Sequence, residues 1–214
     1  MFRFKQNGSD EMKITALILA SIISVFLVQS VCAQDITECD IQAGHPSDPG
    51  HLGAGRKSGE VLIQLAIPAC REAVKSDPAN PRFHYQLGRA LVYWADVNDG
   101  DLSEGLEHLK QAADMDYTQA MFVLGLMYKR QGDNCAAESL TKVAADKGLK
   151  SARISYVDDV LGGVYSGCKR SASKEEMAAY LAAAGTQVSG WYESMLLGAL
   201  TRQIKAAACM KASE

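Results

Sequence analysis

Gln119-Ala-Met-Phe-Val-Leu-Gly-Leu-Met-Tyr128, continued after a short gap by residues 136–148, decides how this chain folds. The first piece sets Ala120, Leu124 and Tyr128 four residues apart on one helical face, with Gly125 beside Leu124. The second sets Ala137, Leu140 and Ala144 on an inner face and stops at Gly148, a residue that favours helix C-termini. The reading is helix, turn, helix. Neither stripe can be buried by one hairpin alone, so the unit needs neighbours.

The neighbours are in the sequence. Leu87-Gly88 in Tyr85-Gln-Leu-Gly-Arg-Ala-Leu91 answers Leu124-Gly125, and so does Leu197-Gly198 in Leu196-Leu-Gly-Ala-Leu200. Tyr156-Val157 stands at the matching place between them, with Ala152 answering Ala120. The second helices recur in step at Ala112-Ala113, Ala144-Ala145 and Ala183-Ala184, small residues that let helices cross closely. Hairpins recurring at a period in the thirties mean a stacked solenoid. Extra residues fall in the turns at 96–101 and 166–173, where insertions cost little. No alternating β-branched run is long enough for a strand, so the fold class is all-α.

The motif Ala120…Leu124-Gly125…Tyr128 followed by Ala144-Ala145…Gly148 resembles the Sel-one-like repeat, a short relative of the tetratricopeptide repeat. The first unit departs from it with Phe83 where alanine is usual and Asp116 where glycine is usual. The third carries Tyr156-Val157 in place of Leu-Gly, and the fourth lacks a second helix, as a terminal cap does. Asp77-Pro78 and Pro81 before the first unit are similar to tetratricopeptide starts, with Asn80 the expected N-cap. The resemblance implies a right-handed α-solenoid of about three to four repeats. It also implies an adaptor without catalytic residues, metal or cofactor, holding a protein or peptide in its concave groove. By position, the first helices would offer the partner Tyr85, Arg89, Tyr93, Phe122, Leu126, Arg130, Asp158, Tyr192, Met195 and Arg202. Aromatic and arginine anchors suit an interface. The rival reading is that Phe122 and Leu126 pack against the next repeat and the arginines form a solvated face. On the interface reading, Glu at positions 89 and 130 weakens capture without unfolding the chain.

Five prolines and a 48% hydrophobic fraction exclude a disordered or collagen-like chain, and a formal charge of -3 argues against nucleic acid as a partner. Lys13, an apolar run over 14–28 and Val31-Cys32-Ala33 have the order of a secretory signal, cleaved after Ala33. Two alternatives stand beside it: a retained anchor, and Cys32 as a lipidation site. The expected division is therefore signal 1–33, a Gly/Pro-rich arm 34–59 and a repeat domain 60–214, periplasmic or secreted, with no membrane contact after cleavage. Oligomeric state is left open. Loss of Cys32 leaves an odd number of cysteines, in an oxidising space. Cys39 and Cys70 lie outside the clear repeats and are paired, which stabilises by roughly 3–4 kcal/mol in the chain-entropy model. Cys135, Cys168 and Cys209 fall at one edge of the repeat register, so Cys168 has two suitors; the flexible turn at 166–173 favours Cys135.

Other motifs fail on context. Gly50-His-Leu-Gly-Ala-Gly55-Arg-Lys-Ser58 brushes the phosphate-loop pattern, but Arg56 intervenes and no strand precedes it. Ser171-Ala-Ser-Lys174 has the Ser-x-x-Lys spacing, yet Ser173 with Glu176 reads as a capping box. His45, His51 and Asp48 offer too few convergent donors for a metal. His84 is expected on a packing face and His108 on an outer one. A helix over 60–76 is expected, with Val61, Leu65 and Ala69 as its buried stripe. The leading function is an exported, non-catalytic scaffold for protein–protein interaction, with regulation of an envelope receptor or enzyme as its outlet. The alternatives are an envelope hydrolase or cell-wall-acting enzyme on a repeat scaffold, and an assembly joined through Cys209 or the arm.

Overall fold

In the computed structural model, residues 35–169, 172–188 and 190–211 are described, with 207–211 as backbone only. The segment 1–33 and the Cys209 side chain lie outside that set, and the packing below belongs to the unit that starts at Ile36. Among the described residues there are nine α-helices and no strand: α1 (Glu38–Ala43), α2 (Ile63–Ser76), α3 (Pro81–Asn98), α4 (Ser103–Asp114), α5 (Thr118–Arg130), α6 (Asn134–Asp146), α7 (Lys150–Leu161), α8 (Lys174–Gly185) and α9 (Trp191–Lys211). A 3-10 turn, Ser58–Glu60, precedes α2. From α2 onward each helix packs on the next, and α1 lies against α2 and α3.

The starts follow the sequence signals. The Asn80 side chain accepts the Arg82 N–H at 3.2 Å with Pro81 at the first helical position. The Ser173 hydroxyl accepts the Glu176 N–H at 3.1 Å. The reciprocal half of that expected capping box is not made, because the Glu176 carboxylate turns to Lys142 Nζ at 2.6 Å. A complete box forms instead in the arm, where Thr37 and Asp40 cap α1.

Glycines set the helix crossings. A methyl group on Gly88 would meet the Gly105 carbonyl oxygen and the Leu109 nitrogen at 2.9 Å, so α3 and α4 touch backbone to backbone. On Gly125 it would meet Thr141 Oγ1 at 2.7 Å and the Ala137 carbonyl at 3.3 Å, which is the α5–α6 crossing. On Gly198 its nearest atom would be Arg202 Nη1 at 3.5 Å, so at the register of the other two no second helix among the described residues is seated. The glycine position of the repeat is therefore a close-approach position, used twice and left open at α9.

Two clusters make the core. The larger runs from Tyr85 and Leu109 through Ala120, Leu124, Ala144 and Tyr156 to Leu200 and Ile204. The smaller joins Cys39 and Ala43 of α1, Ala66, Cys70 and Ala73 of α2, and Phe83, Leu87, Ala90 and Leu91 of α3. Helix α3 is thus sandwiched, with residues 82–92 all buried. The buried stripe of α2 is Ala66, Cys70 and Ala73, whereas Leu65 is half exposed; this corrects the expected Val61–Leu65–Ala69 face. The Cys39–Cys70 disulfide rotates α2 to that register, with the two Cα atoms 4.6 Å apart. The second disulfide is Cys135–Cys168, Cα atoms 5.2 Å apart, so the turn after α7 does reach the start of α6.

Candidate functional site

The arm lies along the face built by the first helices of the hairpins. Its short helix α1 ends beside α3, where Arg89 Nη1 donates to the carbonyls of Ala43 at 2.7 Å and Gly44 at 3.1 Å. Nη2 of the same guanidinium donates to the Arg56 carbonyl at 2.8 Å, and Nε to the Tyr93 hydroxyl. The carbonyl end of a helix carries partial negative charge, which suits a cation stripped of water. Two turns earlier, Arg82 Nε pairs with Asp40 Oδ1 at 2.8 Å and Gln86 Nε2 donates to the same oxygen at 2.9 Å. Asp40 is fully buried, and the Thr37 amide and hydroxyl and Arg82 Nη2 all donate to its other oxygen, which offsets the cost of taking this ion pair out of water.

Further along, the Tyr117 hydroxyl donates to Asp48 Oδ2 at 2.6 Å and the Gly50 N–H to Oδ1 at 3.0 Å. Burial pushes the Asp48 carboxyl above its ordinary value, against those two donors. The Tyr93 hydroxyl donates to Ser58 Oγ at 2.8 Å. Gly55, at φ +62°, lets the arm double back so that the Arg56 N–H reaches the Gly44 carbonyl at 2.7 Å; a side chain there would sit 2.6 Å from that oxygen.

Beside the arm a cavity of about 380 Å³ stays open. It is walled by Tyr85, Val92 and Tyr93 of α3, Phe122, Val123 and Leu126 of α5, and Ser151 of α7, with His45, Ser47 and Ser58 of the arm as its far side. Burial and the nearby Arg89 cation lower the His45 pKa, which keeps that wall neutral. Asp96 and Arg130 at the margin pair with one another at 2.5 Å. Gln119 also lines the cavity; it is 7% exposed, and its Oε1 has no hydrogen-bond partner among the described residues. Its side chain hydrogen-bonds the Tyr85 hydroxyl, whose pKa is raised chiefly by burial.

The positions expected to meet a partner therefore divide. Phe122 and Leu126 converge on the cavity with Tyr93. Tyr85 and Arg89 line it too, but at 1% and 3% exposure they are core and arm anchor, not a surface. Arg130 is held by Asp96, and Asp158 is exposed. On α9, Tyr192, Met195 and Arg202 are exposed and lie outside the cavity lining. His108 is not on an outer face: its Nδ1 lies 3.0 Å from Nδ1 of His84, whose Nε2 faces the Pro78 carbonyl at 3.0 Å. Among the described residues no three His, Cys, Asp or Glu side chains cluster as metal ligands.

Arg82, Gln86, Tyr117 and Gln119 were not singled out from the sequence. The local signal that could have shown a built element in the arm is the Thr37-x-x-Asp40 spacing of a capping box. Against known proteins, no family model matches this chain and no curated protein is detectably similar to it.

Proposed function

We propose that this chain is an exported, non-catalytic repeat scaffold that holds an extended segment of another protein against its first-helix face. The observation that carries the reading is the cavity of about 380 Å³ between α3, α5 and α7, apolar and aromatic in its walls and bounded by the chain's own arm. Cavities of this size with a few convergent polar groups are common binding sites. In this reading the fold is a right-handed Sel-one-like solenoid of about three to four repeats, with α9 as the terminal half-unit. The two disulfides, and the lack among the described residues of any helix long and apolar enough to cross a membrane, are compatible with a periplasmic or extracellular setting.

A photo-reactive residue at Leu126 or Met195, installed in cells, tests it. Polypeptide adducts from these two positions, with few from exposed Glu107 on α4, are expected. Equal labelling from all three, or none from Leu126 and Met195, would overturn the assignment of the face.

A further inference from the structure

Between Gly44 and Gly55 the arm forms a loop that is bordered by open space. Three clefts, of about 430, 380 and 360 Å³, carry residues from 45–50 in their walls. The first is also walled by Tyr117 and Leu149, the second by Phe122 and Leu126, and the third by Leu149 and Ile154. Ser47 and Ser151 belong to both the second and the third, and Pro49 to both the first and the third, so the three adjoin around the loop. A segment bordered by clefts lacks the contacts that fix a close-packed one.

What holds the loop is concentrated at its ends. There the Arg89 guanidinium takes the Gly44 carbonyl at 3.1 Å and the Arg56 carbonyl at 2.8 Å, and the Arg56 N–H closes on the Gly44 carbonyl at 2.7 Å. Between those ends, one hydrogen bond joins residues 45–54 to the helices among the described residues: the Tyr117 hydroxyl donates to Asp48 Oδ2 at 2.6 Å. Asp48 is 2% exposed, while Pro46, Ser47, Pro49 and Gly50 around it are exposed. Gly50 lies on the same tyrosine, where a methyl group would meet Oη at 2.6 Å. Burial works against the charged carboxylate at that place.

We infer that residues 45–54 are a lid, hinged where Arg89 clamps its ends and latched by Asp48 on Tyr117, whose opening joins the three clefts into one trough on the first-helix face. Opening breaks the latch and leaves the clamp made, so it needs far less than unfolding of the arm. That the open trough admits a polypeptide rests on the protein-holding reading above; the lid itself is tested without a partner.

Tyr117→Phe keeps the ring and cuts the latch. In the purified, disulfide-intact protein, the Gly50 and His51 amides should exchange with solvent about 10–100-fold faster than in the parent, the factor of one hydrogen bond to a charged group. Their own bonds, to Asp48 Oδ1 and the Asp48 carbonyl, lie in a short turn that shields little once it leaves the helices. The Arg56 amide inside the clamp and the Ala90 amide of α3 should be unchanged. Asp48→Ala cuts the latch from its other end and should repeat the His51 result. Tyr165→Phe, which loses a bond to Asp159 after α7, should leave the loop as it is. A second readout is chemical: Ile154 is 9% exposed and shares a cleft with Pro46 and Pro49. Ile154→Cys should react with N-ethylmaleimide about 10–100-fold faster once Tyr117→Phe is added, read at that peptide by mass spectrometry. Photo-adducts at Leu126 in cells should rise severalfold with Tyr117→Phe. Loop exchange that ignores both latch variants, a rise shared by Arg56 and Ala90, a thiol rate at 154 that does not change, or adducts at an unchanged level would overturn the lid. If loop and thiol respond as stated but Leu126 traps no polypeptide with or without the latch, the lid stands and the protein-holding reading falls. Adducts without a response of loop or thiol sink the lid alone.

Discussion

Replacing Arg89 by Met tests whether the arm is a fixed wall of the site or a loose tail. The substitution keeps most of the apolar stem and removes the fork that binds the carbonyls of Ala43, Gly44 and Arg56. The Gly44 oxygen keeps the Arg56 N–H as a donor, so two carbonyls lose their recorded partner. Each stranded buried acceptor costs about 1–3 kcal/mol, and relief of the guanidinium's own desolvation returns part of that, for an expected net loss of about 2–4 kcal/mol. For a chain of this size the melting temperature should fall by about 4–16 °C. Urea unfolding followed by circular dichroism, with both disulfides intact, measures the loss. Limited proteolysis should show new cuts within 45–57. Arg130→Met is the control: its pair with Asp96 is exposed, and a change under about 1 kcal/mol is expected. An Arg89 variant within about 0.5 kcal/mol of the parent, with the arm still protected, would refute the reasoning and return Arg89 to the solvated surface.

The three repeat glycines should separate on substitution by Ala. Gly88→Ala and Gly125→Ala force a methyl into contacts under 3 Å and should cost about 1–3 kcal/mol, whereas Gly198→Ala makes only an ordinary contact with the Arg202 side chain at 3.5 Å and should gain about 0.5–1 kcal/mol from helix propensity; thermal melts read all three. Serine at both Cys135 and Cys168 removes a loop closure of 33 residues and should cost about 3–4 kcal/mol in urea unfolding. The pKa of His108 is lowered by burial and by His84, and that of His45 by burial and by Arg89. Groups depressed in the folded state contribute stability above their unfolded value and lose it as pH falls, so the urea midpoint should drop from pH 7.5 to 5.5. His108→Gln should flatten that slope, and an unchanged slope would count against the His84–His108 contact.

Helix α6 and the inner face of α5 were readable because a hydrophobic period is a local property. Ala120, Leu124, Ala137 and Ala144 are buried as their spacing demands. The start of α3 was equally local, since Asn80 and Pro81 act within one turn. The face of α2 was not. Its apolar residues allow more than one stripe, and a disulfide to a residue 31 positions away chose among them. His108 was misplaced for the same reason: its partner His84 is 24 positions back, on another helix. Tyr85 and Arg89, expected on the partner face, are buried, and the sequence did not show it because the arm that covers Arg89 has no period to read. Its glycines and prolines said where it could not be helical, but not where it would lie.

The sequence by itself determined the recurring helical hairpins, through the spacing of Leu-Gly and Ala-Ala along the chain, and the pairing of Cys39 with Cys70, because both lie outside the clear repeats; that Gly88 and Gly125 sit at the crossings came from the packing. It also narrowed Cys168 to two partners. Only the tertiary structure decided that the arm covers part of the first-helix face, and that Arg89 spends its charge on the arm's carbonyls. Those outcomes depend on contacts such as Asp40 with Gln86, 46 positions apart, and Tyr117 with Asp48, 69 apart. A buried polar group takes whatever partner the packed fold brings to it, and no local pattern records which one that will be.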